Sequence, residues 1–585
     1  MKVLIVGGVA GGATTAARLR RLNENAEIII IERSHYVSYA NCGLPYYVGG
    51  VITDRNKLTL QTPESFKARF NIEVRVDQEV TAIDRKAKQV TVRNMLDNSI
   101  YIESYDTLVL SPGAHPVHPN LPGINSKRLF TLRTVEDTFA ITNFIDQENP
   151  QSATIVGGGF IGLEMAENLV ERGMNVTVLQ RPSHLMPTLD EDMASILHNR
   201  FRDAGVAIRL NADVIGFSDQ DAHIETTFKA KGDETGQTKT TISSDMVVFA
   251  IGVLPESSLA KQAGLELGIK GAIKVDDHLR TSDPNIYAIG DAVQTTQYVS
   301  KQPAHIALAG PANKQGRIVA DNICGKERTF KGSQGSSIMK AFDLTVATTG
   351  LNEKTASASE LDFDSVILTP ASHATYYPGA HTMTMKVLFE KPSGKILGAQ
   401  IIGHEGVDKR IDVLAVAINA NMTAEDLTEI DLAYAPPYAS AKDPVNMAGY
   451  VIENILESTV KQIHWNEALE IASTNTKAVI LDTRTQAEFN RGHIEGICNP
   501  ILHIPVDELR SRLSEIPSDK QLLVHCATGV RSYIACRILM QNGFNCTNIA
   551  GGYTLYAALF KDKNAETKDI GDCGLSINEQ QVSSN

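Results

Sequence analysis

Two stretches of this chain repeat one local pattern, and nothing else in the sequence restricts the fold as strongly. "KVLIVGGVAGGATTAARLRRL", from Lys2, reads as a short apolar strand, a glycine turn and a helix, and "AEIIIIER" follows as the next strand. "SATIVGGGFIGLEMAENLVERGMNVTVLQR", Ser152 to Arg181, has the same order. Each is a βαβ unit, in which the turn aims backbone N–H groups and a helix N-terminus at one spot and so attracts a phosphate. Two such units predict two nucleotide sites on an α/β framework.

The second turn, Gly157, Gly159 and Gly162, satisfies GxGxxG between strand and helix, where glycines permit the tight turn, the close approach of a pyrophosphate and close helix packing. Its second strand ends in Gln180 and Arg181, where a carboxylate would accept a ribose 2′-hydroxyl, so NADH and NADPH both stay open. The first turn places Gly7, Gly8, Gly11 and Gly12 around Val9, which takes the middle glycine position. Glu32, followed by Arg33, ends its next strand at the place of a ribose-binding carboxylate, the alternative being an ordinary strand-end Glu.

A chain of 585 residues exceeds one core, and roughly three to five domains are expected. A net charge of -13 argues against a nucleic-acid or anionic-membrane surface. No segment reaches the apolar length of a membrane span and no cleavage signature opens the chain, so a cytoplasmic protein is expected. The seven cysteines form no CxxC pair and no metal-ligand spacing, so neither structural disulfides nor a metal site is expected. Cys498, Cys536 and Cys573 are assigned no role.

"YDTLVLSPGAHP" and "SDMVVFAIGVLPES" follow the two βαβ units at similar points, and "TSDPNIYAIGDAV" comes next. With the two glycine turns they resemble the two-dinucleotide-binding flavoprotein reductases. The resemblance implies FAD in the first unit, at Gly7, Gly8, Gly11, Gly12, Glu32, Arg33 and, toward the ribityl chain, Asp291. It implies NAD(P)H in the second, at Gly157, Gly159, Gly162, Gln180 and Arg181. Expected domains are residues 1–112 with 246–325 for FAD, 113–245 for NAD(P)H, an α+β dimerisation domain at 326–450, a linker at 451–463, a further α/β domain at 464–561 and a flexible tail at 562–585.

In "VSYANCGLPYYVGG" one cysteine, Cys42, has no second cysteine nearby along the chain, so no internal disulfide forms there. This string, "HATYYPGA" and "DLAYAPPYASAKDPVNMAGY" resemble the coenzyme A disulfide reductase branch, whose single cysteine pairs with the thiol of CoA. That resemblance implies CoA near Thr14, Arg18, Arg21, Ser38, Asn41, Arg69 and Lys442. It makes Tyr376 and Tyr434 active-site tyrosines supplied by the second subunit of a homodimer. Arg18 and Arg21, three apart on the first helix, present cations on one face; as residues alone they read equally as a solvated basic face.

"LLVHCATGVRSYIACRILMQNGF" is a strand, a compact loop and a helix, in which Cys526 and Arg531 bracket a loop suited to an anion. With "ILDTRTQAEFNRGHIEGICNPILHIP" and "NIAGGY" it resembles a single rhodanese domain, implying roles for Asp482, Arg484, Glu488, His493, Cys526, Arg531 and Gly551. CATGVR is one residue shorter between Cys and Arg than the phosphatase loop CxxxxxR, which favours a persulfide sulfur over a phosphate.

The resemblances together imply an FAD-dependent reduction of CoA persulfide, polysulfide or CoA disulfide by NAD(P)H through a Cys42–CoA mixed disulfide, with Cys526 relaying sulfane sulfur. Alternatives are an NADH oxidase or peroxidase using a Cys42 sulfenic acid, and a redox sensor or sulfur carrier.

Overall fold

The computed structural model describes residues 1–230, 239–475, 477–494 and 501–571, with side chains through 565. Cys498 and Cys573 lie outside the described residues. The chain divides into two compact units, Met1–Pro182 with Gly205–Gly335, and Ser183–Ala204 with the chain from Ser336 onward.

In the first unit the opening strand Lys2–Val6 lies in a five-stranded parallel sheet, in the order Ile286–Ala288, Thr107–Leu110, Lys2–Val6, Glu27–Ile31, Glu73–Arg75. Its strands are apolar on both sides because both faces are covered. Leu4, Val6, Ile29, Ile31, Leu108 and Leu110 point to one core, backed by Val80, Val90 and Val92 of a three-stranded antiparallel sheet. Val3, Ile5, Ile28, Ile30 and Val109 point to the other, backed by helices. Helix α1 (Ala10–Leu22) buries Ala16 and Leu19 there and ends in Arg20 and Arg21, cations at the negative end of its dipole. It crosses the helix Ala309–Ile323 so closely that a Cβ on Gly316 would stand 2.5 Å from the Gly11 carbonyl oxygen.

After a 3₁₀ turn at Asn41–Gly43 comes the short helix α2 (Leu44–Val48), with Pro45 in its first turn, where a missing N–H costs nothing. The second βαβ builds another five-stranded parallel sheet, ordered Ala207–Arg209, Asn175–Leu179, Ser152–Val156, Met246–Phe249, Leu129–Phe130. Its first strand feeds α3 (Phe160–Glu171).

In the second unit an antiparallel sheet runs in the order Ser337–Ala341, Leu344–Gly350, Ile396–Gly403, Met383–Glu390, Phe363–Leu368. Ser183–Ala204, which sequence reading leaves inside the 113–245 nucleotide stretch, belongs to this unit. Charge pairing and burial explain why. Lys386, fully buried in the antiparallel sheet, holds Asp190 (3.1 Å), Asp192 (2.8 Å) and Glu353 (2.8 Å). On α4 (Glu191–Asp203), His198 pairs with Asp562 at 2.8 Å and Asn199 donates to the Ala558 carbonyl, both from the last helix, Gly552–Gly571.

The same unit contains a five-stranded parallel sheet ordered Gln462–Ile463, Cys546–Ile549, Gln521–His525, Ala478–Asp482, Ile501–His503. Ile480 and Leu523 face one core, Leu481, Leu522 and Val524 the other. Helix α5 (Val530–Gln541) leaves the carboxyl end of the strand Gln521–His525.

Candidate active site: two cysteine centres

The glycine turns are shaped for a close ligand. Gly7 has φ +92°, and a Cβ on Gly12 would fall 1.9 Å from the Gly7 carbonyl oxygen. Gly157 (φ +108°) and Gly162 repeat this, again at 1.9 Å, while a Cβ on Gly159 would meet nothing within 4 Å, so backbone is bare toward the turn's open side. Glu32 accepts the N–H of Gly8 (2.8 Å) and of Ser34 (3.0 Å), and burial pushes its carboxyl up. Gln180 accepts the N–H of Gly158 at 2.9 Å, the corresponding contact made by a neutral amide. Arg181 is exposed beside it, and Arg33, half exposed, stands 3.7 Å from Glu256. These cradles, which a Cβ would fill, fit dinucleotides.

Cys42 is exposed on its 3₁₀ turn. Desolvation and then the Glu164 carboxylate push its thiol up, Arg133 pulls it down, and Asp291 pushes it up again. Arg133 is the hub of this region. Its Nη2 donates to Asp291 at 2.8 Å and its Nε to the Ala114 carbonyl at 3.1 Å. The Asn41 amide, oriented to satisfy both groups, donates to the Arg133 carbonyl (2.9 Å) and accepts from its Nη1 (2.8 Å). Arg133 thus ties the residue before Cys42 to the Asp291 turn. Sequence reading missed it, because nothing near "TLRTVED" marks a residue whose partners lie 92 and 158 positions away.

Around α1, Thr14 donates to Asn313 at 2.6 Å, and Arg18 pairs with the buried Asp321 at 2.8 Å. Arg18 is therefore already neutralised within the chain, and the expected pair of free cations on one face reduces to the exposed Arg21. Arg69 is exposed on another helix. Ser38 adopts φ +48°, sparsely populated for a non-glycine residue, held by bonds from Ser38 N–H to the Gly8 carbonyl and from Leu60 N–H to the Ser38 carbonyl.

In the second unit the Tyr376 and Tyr434 hydroxyls are 2.7 Å apart, with the side chains 74% and 47% exposed. Tyr434 holds the Tyr376 phenol above its ordinary value. Lys442 is exposed, next to Asp443, which caps a helix and pairs with the buried Arg410 at 3.1 Å.

The second cysteine centre is built from the strand Gln521–His525 and α5. Cys526 is fully buried at the floor of its loop and accepts the Gly529 N–H at 3.1 Å, with the Ser532 hydroxyl at 3.5 Å. Gly529 (φ +108°) turns the chain so that this N–H points inward. Arg531 grips Glu488 through two bonds of 2.7 Å, which hold the Glu488 carboxyl down at about 2. Beneath the loop Arg484 binds Asp482 in a buried bidentate pair and stacks over Tyr553 at 3.7 Å. The Tyr553 N–H closes the loop on the Cys526 carbonyl at 2.7 Å, after the Gly551 turn (φ +74°). His493 is exposed and stacks on Phe489 at 4.5 Å. His525, unflagged by sequence reading, is buried at 3.6 Å from Asp482, and burial pushes its imidazole down to about 4, so it stays neutral.

Among the described residues no group of three or more His, Cys, Asp or Glu is arranged to hold a metal ion, and no helix is long and apolar enough to cross a membrane.

Residues 1–316 match the family described as pyridine nucleotide-disulphide oxidoreductase, residues 336–444 its dimerisation domain, and residues 466–559 the rhodanese-like domain. The chain belongs to the pyridine nucleotide-disulphide oxidoreductases. This oxidoreductase is 39% identical over 450 residues to the coenzyme A disulfide reductase of Staphylococcus haemolyticus, which covers 77% of this chain and 98% of the relative. The reduced CoADR-RHD of Bacillus anthracis superposes with a TM-score of 0.91 at 47% identity, over 96% of this chain and 98% of that one. The NAD-dependent persulfide reductase of A. fulgidus does so at 0.87 and 38%, over 95% and 100%. The family implies FAD and NAD(P)H, for which the two glycine cradles of this pyridine nucleotide-disulphide oxidoreductase are shaped.

Proposed function

We propose that this chain is an FAD-dependent reductase of sulfane sulfur, using NAD(P)H to reduce CoA persulfide, polysulfide and CoA disulfide through a single Cys42–CoA mixed disulfide. The observation that carries it is the pairing, in one chain, of a one-cysteine reductase centre with a rhodanese loop, a combination also present along nearly the full length of the persulfide reductase. Gly7, Gly8, Gly11, Gly12, Glu32, Arg33 and Asp291 would hold FAD; Gly157, Gly159, Gly162, Gln180 and Arg181 would hold NAD(P)H. Bound together, flavin and nicotinamide supply the two electrons that reduce a disulfide.

The chain's own residues do the rest. Thr14, Arg21, Ser38, Asn41, Arg69 and Lys442 place CoA, with Arg18 contributing once Asp321 shares or releases it. The Cys42 thiolate attacks the CoA-bonded sulfur of CoA–S–SH; a Cys42–S–S–CoA bond forms, the S–S bond of the persulfide breaks, and hydrosulfide leaves. Tyr376 and Tyr434, exposed on one subunit of a homodimer, complete the Cys42 site of the other and give that hydrosulfide its proton. Two-electron reduction of the mixed disulfide returns Cys42 and CoA thiol. At the rhodanese loop, Cys526 carries a sulfane sulfur beside the Gly529 N–H, and the CoA thiolate takes its outer sulfur, leaving Cys526 thiolate and CoA persulfide.

Two variants test this. Cys42→Ser is expected to lose NADH-dependent sulfide release from every sulfur substrate, and wild-type release would sink the scheme. Cys526→Ser is expected to lose activity toward polysulfide and keep it toward CoA persulfide; equal loss on both would remove the relay.

A further inference from the structure

Helix α2 begins two residues after Cys42 and lays Tyr46 against α3, the helix that starts at the second glycine turn. There the Tyr46 phenol hydrogen-bonds the Glu164 carboxyl. Glu164 and Glu167, three apart, share one face of α3, and Glu167 is 1% exposed. Asn168 follows, and a Cβ on Gly49 would stand 1.9 Å from its Oδ1, so α2 sits on α3 without slack. On its other side α2 meets an apolar wall, Tyr47 against Phe139 at 5.8 Å between ring centroids.

The charges around Cys42 are thus few: the Glu164 carboxyl with Tyr46 and Glu167 behind it, and the Arg133 guanidinium already bonded to Asp291. Glu164 is the carboxyl that most opposes a negative sulfur here. Its own ionisation is opposed by burial and by Glu167, which together push it up to about 7, against a smaller downward pull from Tyr46. When Glu164 carries its proton, Arg133 dominates the field at Cys42; when Glu164 gives it up, a negative charge faces the thiol.

We propose that the Tyr46–Glu164 pair is a positioning element of the reductase centre, through which the nucleotide-bearing helix α3 sets how much of Cys42 is thiolate. Cys42 and Glu164 then titrate as a coupled pair, each resisting the other's deprotonation. The inference rests on Cys42 being the nucleophile of the proposed reaction.

The test uses full-length, FAD-loaded protein, reduced with dithiothreitol and desalted anaerobically. Alkylation of Cys42 by iodoacetamide is followed on its peptide by mass spectrometry from about pH 5 to about pH 10, the span that brackets both groups. Glu164→Gln keeps shape and hydrogen bonding, and is expected to move the midpoint of Cys42 reactivity down by about half to one pH unit. Tyr46→Phe, which removes the bond favouring the charged carboxylate, is expected to move it down by less. An unchanged midpoint in Glu164→Gln that retains FAD overturns the proposal. So does a change in rate by one factor at every pH, which reports access to the sulfur and not its charge. Alkylation needs no turnover, so a Cys42→Ser variant that still releases sulfide would refute the proposed reaction while leaving this profile to be judged by itself.

Discussion

Gln180 makes to Gly158 the contact that Glu32 makes to Gly8, with an amide in place of a carboxylate. The exchange leaves the second cradle without the negative charge that would repel a ribose phosphate. Arg181→Ala is accordingly expected to raise KM for NADPH by about tenfold and KM for NADH by much less, since a charged hydrogen bond contributes about 1.5–3 kcal/mol; equal changes would place Arg181 outside the cradle. Gly162→Ala has a different expected signature. Its Cβ would collide with the Gly157 carbonyl oxygen, so NAD(P)H reduction of the flavin should fall while FAD content, read from absorbance, is unchanged. At the rhodanese loop, Arg531 holds the Glu488 carboxyl at about 2, below its ordinary 4.5. A depressed carboxylate contributes stability that is fully present above about 4.5 and is lost as pH falls toward 2. Arg531→Met should therefore be less stable than the parent at neutral pH by ~1 kcal/mol, with the gap closing below pH ~4.5. Thermal unfolding across pH reads this, and a gap that widens in acid contradicts it.

At the scale of elements, α4 shows how a segment chooses its neighbours. Its buried residues alternate with the helical period, which says that it has a core face and not which core. The choice is made by the Lys386 ammonium and its three carboxylates, and by the bond from His198 to Asp562 on the last helix. Lys386→Met leaves Asp190 and Asp192 facing each other without a cation, and is expected to destabilise the second unit by about 3–5 kcal/mol. The chain's single tryptophan, Trp465, is buried in this unit and bonded to the Gly552 carbonyl, so its fluorescence in a urea titration isolates the effect. A midpoint within error of the parent would show that the cluster relaxes or hydrates. The cluster was illegible in sequence because its members sit at 190, 192, 353 and 386, and a buried lysine looks in a strand pattern like any exposed one.

For the whole molecule, the tyrosine pair carries the prediction. Tyr376 and Tyr434 are exposed and bonded to each other, and a homodimer that places them over the partner's Cys42 needs both chains for each site. Cys42→Ser and a Tyr376→Phe, Tyr434→Phe double variant, each inactive alone, should when coexpressed regain about a quarter of wild-type activity, since half the dimers are mixed and each mixed dimer has one intact site. No recovery would return the tyrosines to their own subunit or to packing. Sequence by itself determined the local parts: two glycine turns whose spacing allows only a strand-to-helix phosphate cradle, one cysteine without a neighbour, and a six-residue loop from Cys526 to Arg531. These are short-range facts, fixed by backbone sterics and by residue identity within a few positions. Tertiary structure alone decided what surrounds them: that Arg18 is spent on Asp321, that Arg133 joins Asn41 to Asp291, that Glu164 and Tyr46 stand beside Cys42, and that α4 belongs to the second unit. The reason is electrostatic. A charge declares its partner only when burial removes water as the alternative, and burial is a property of the folded chain.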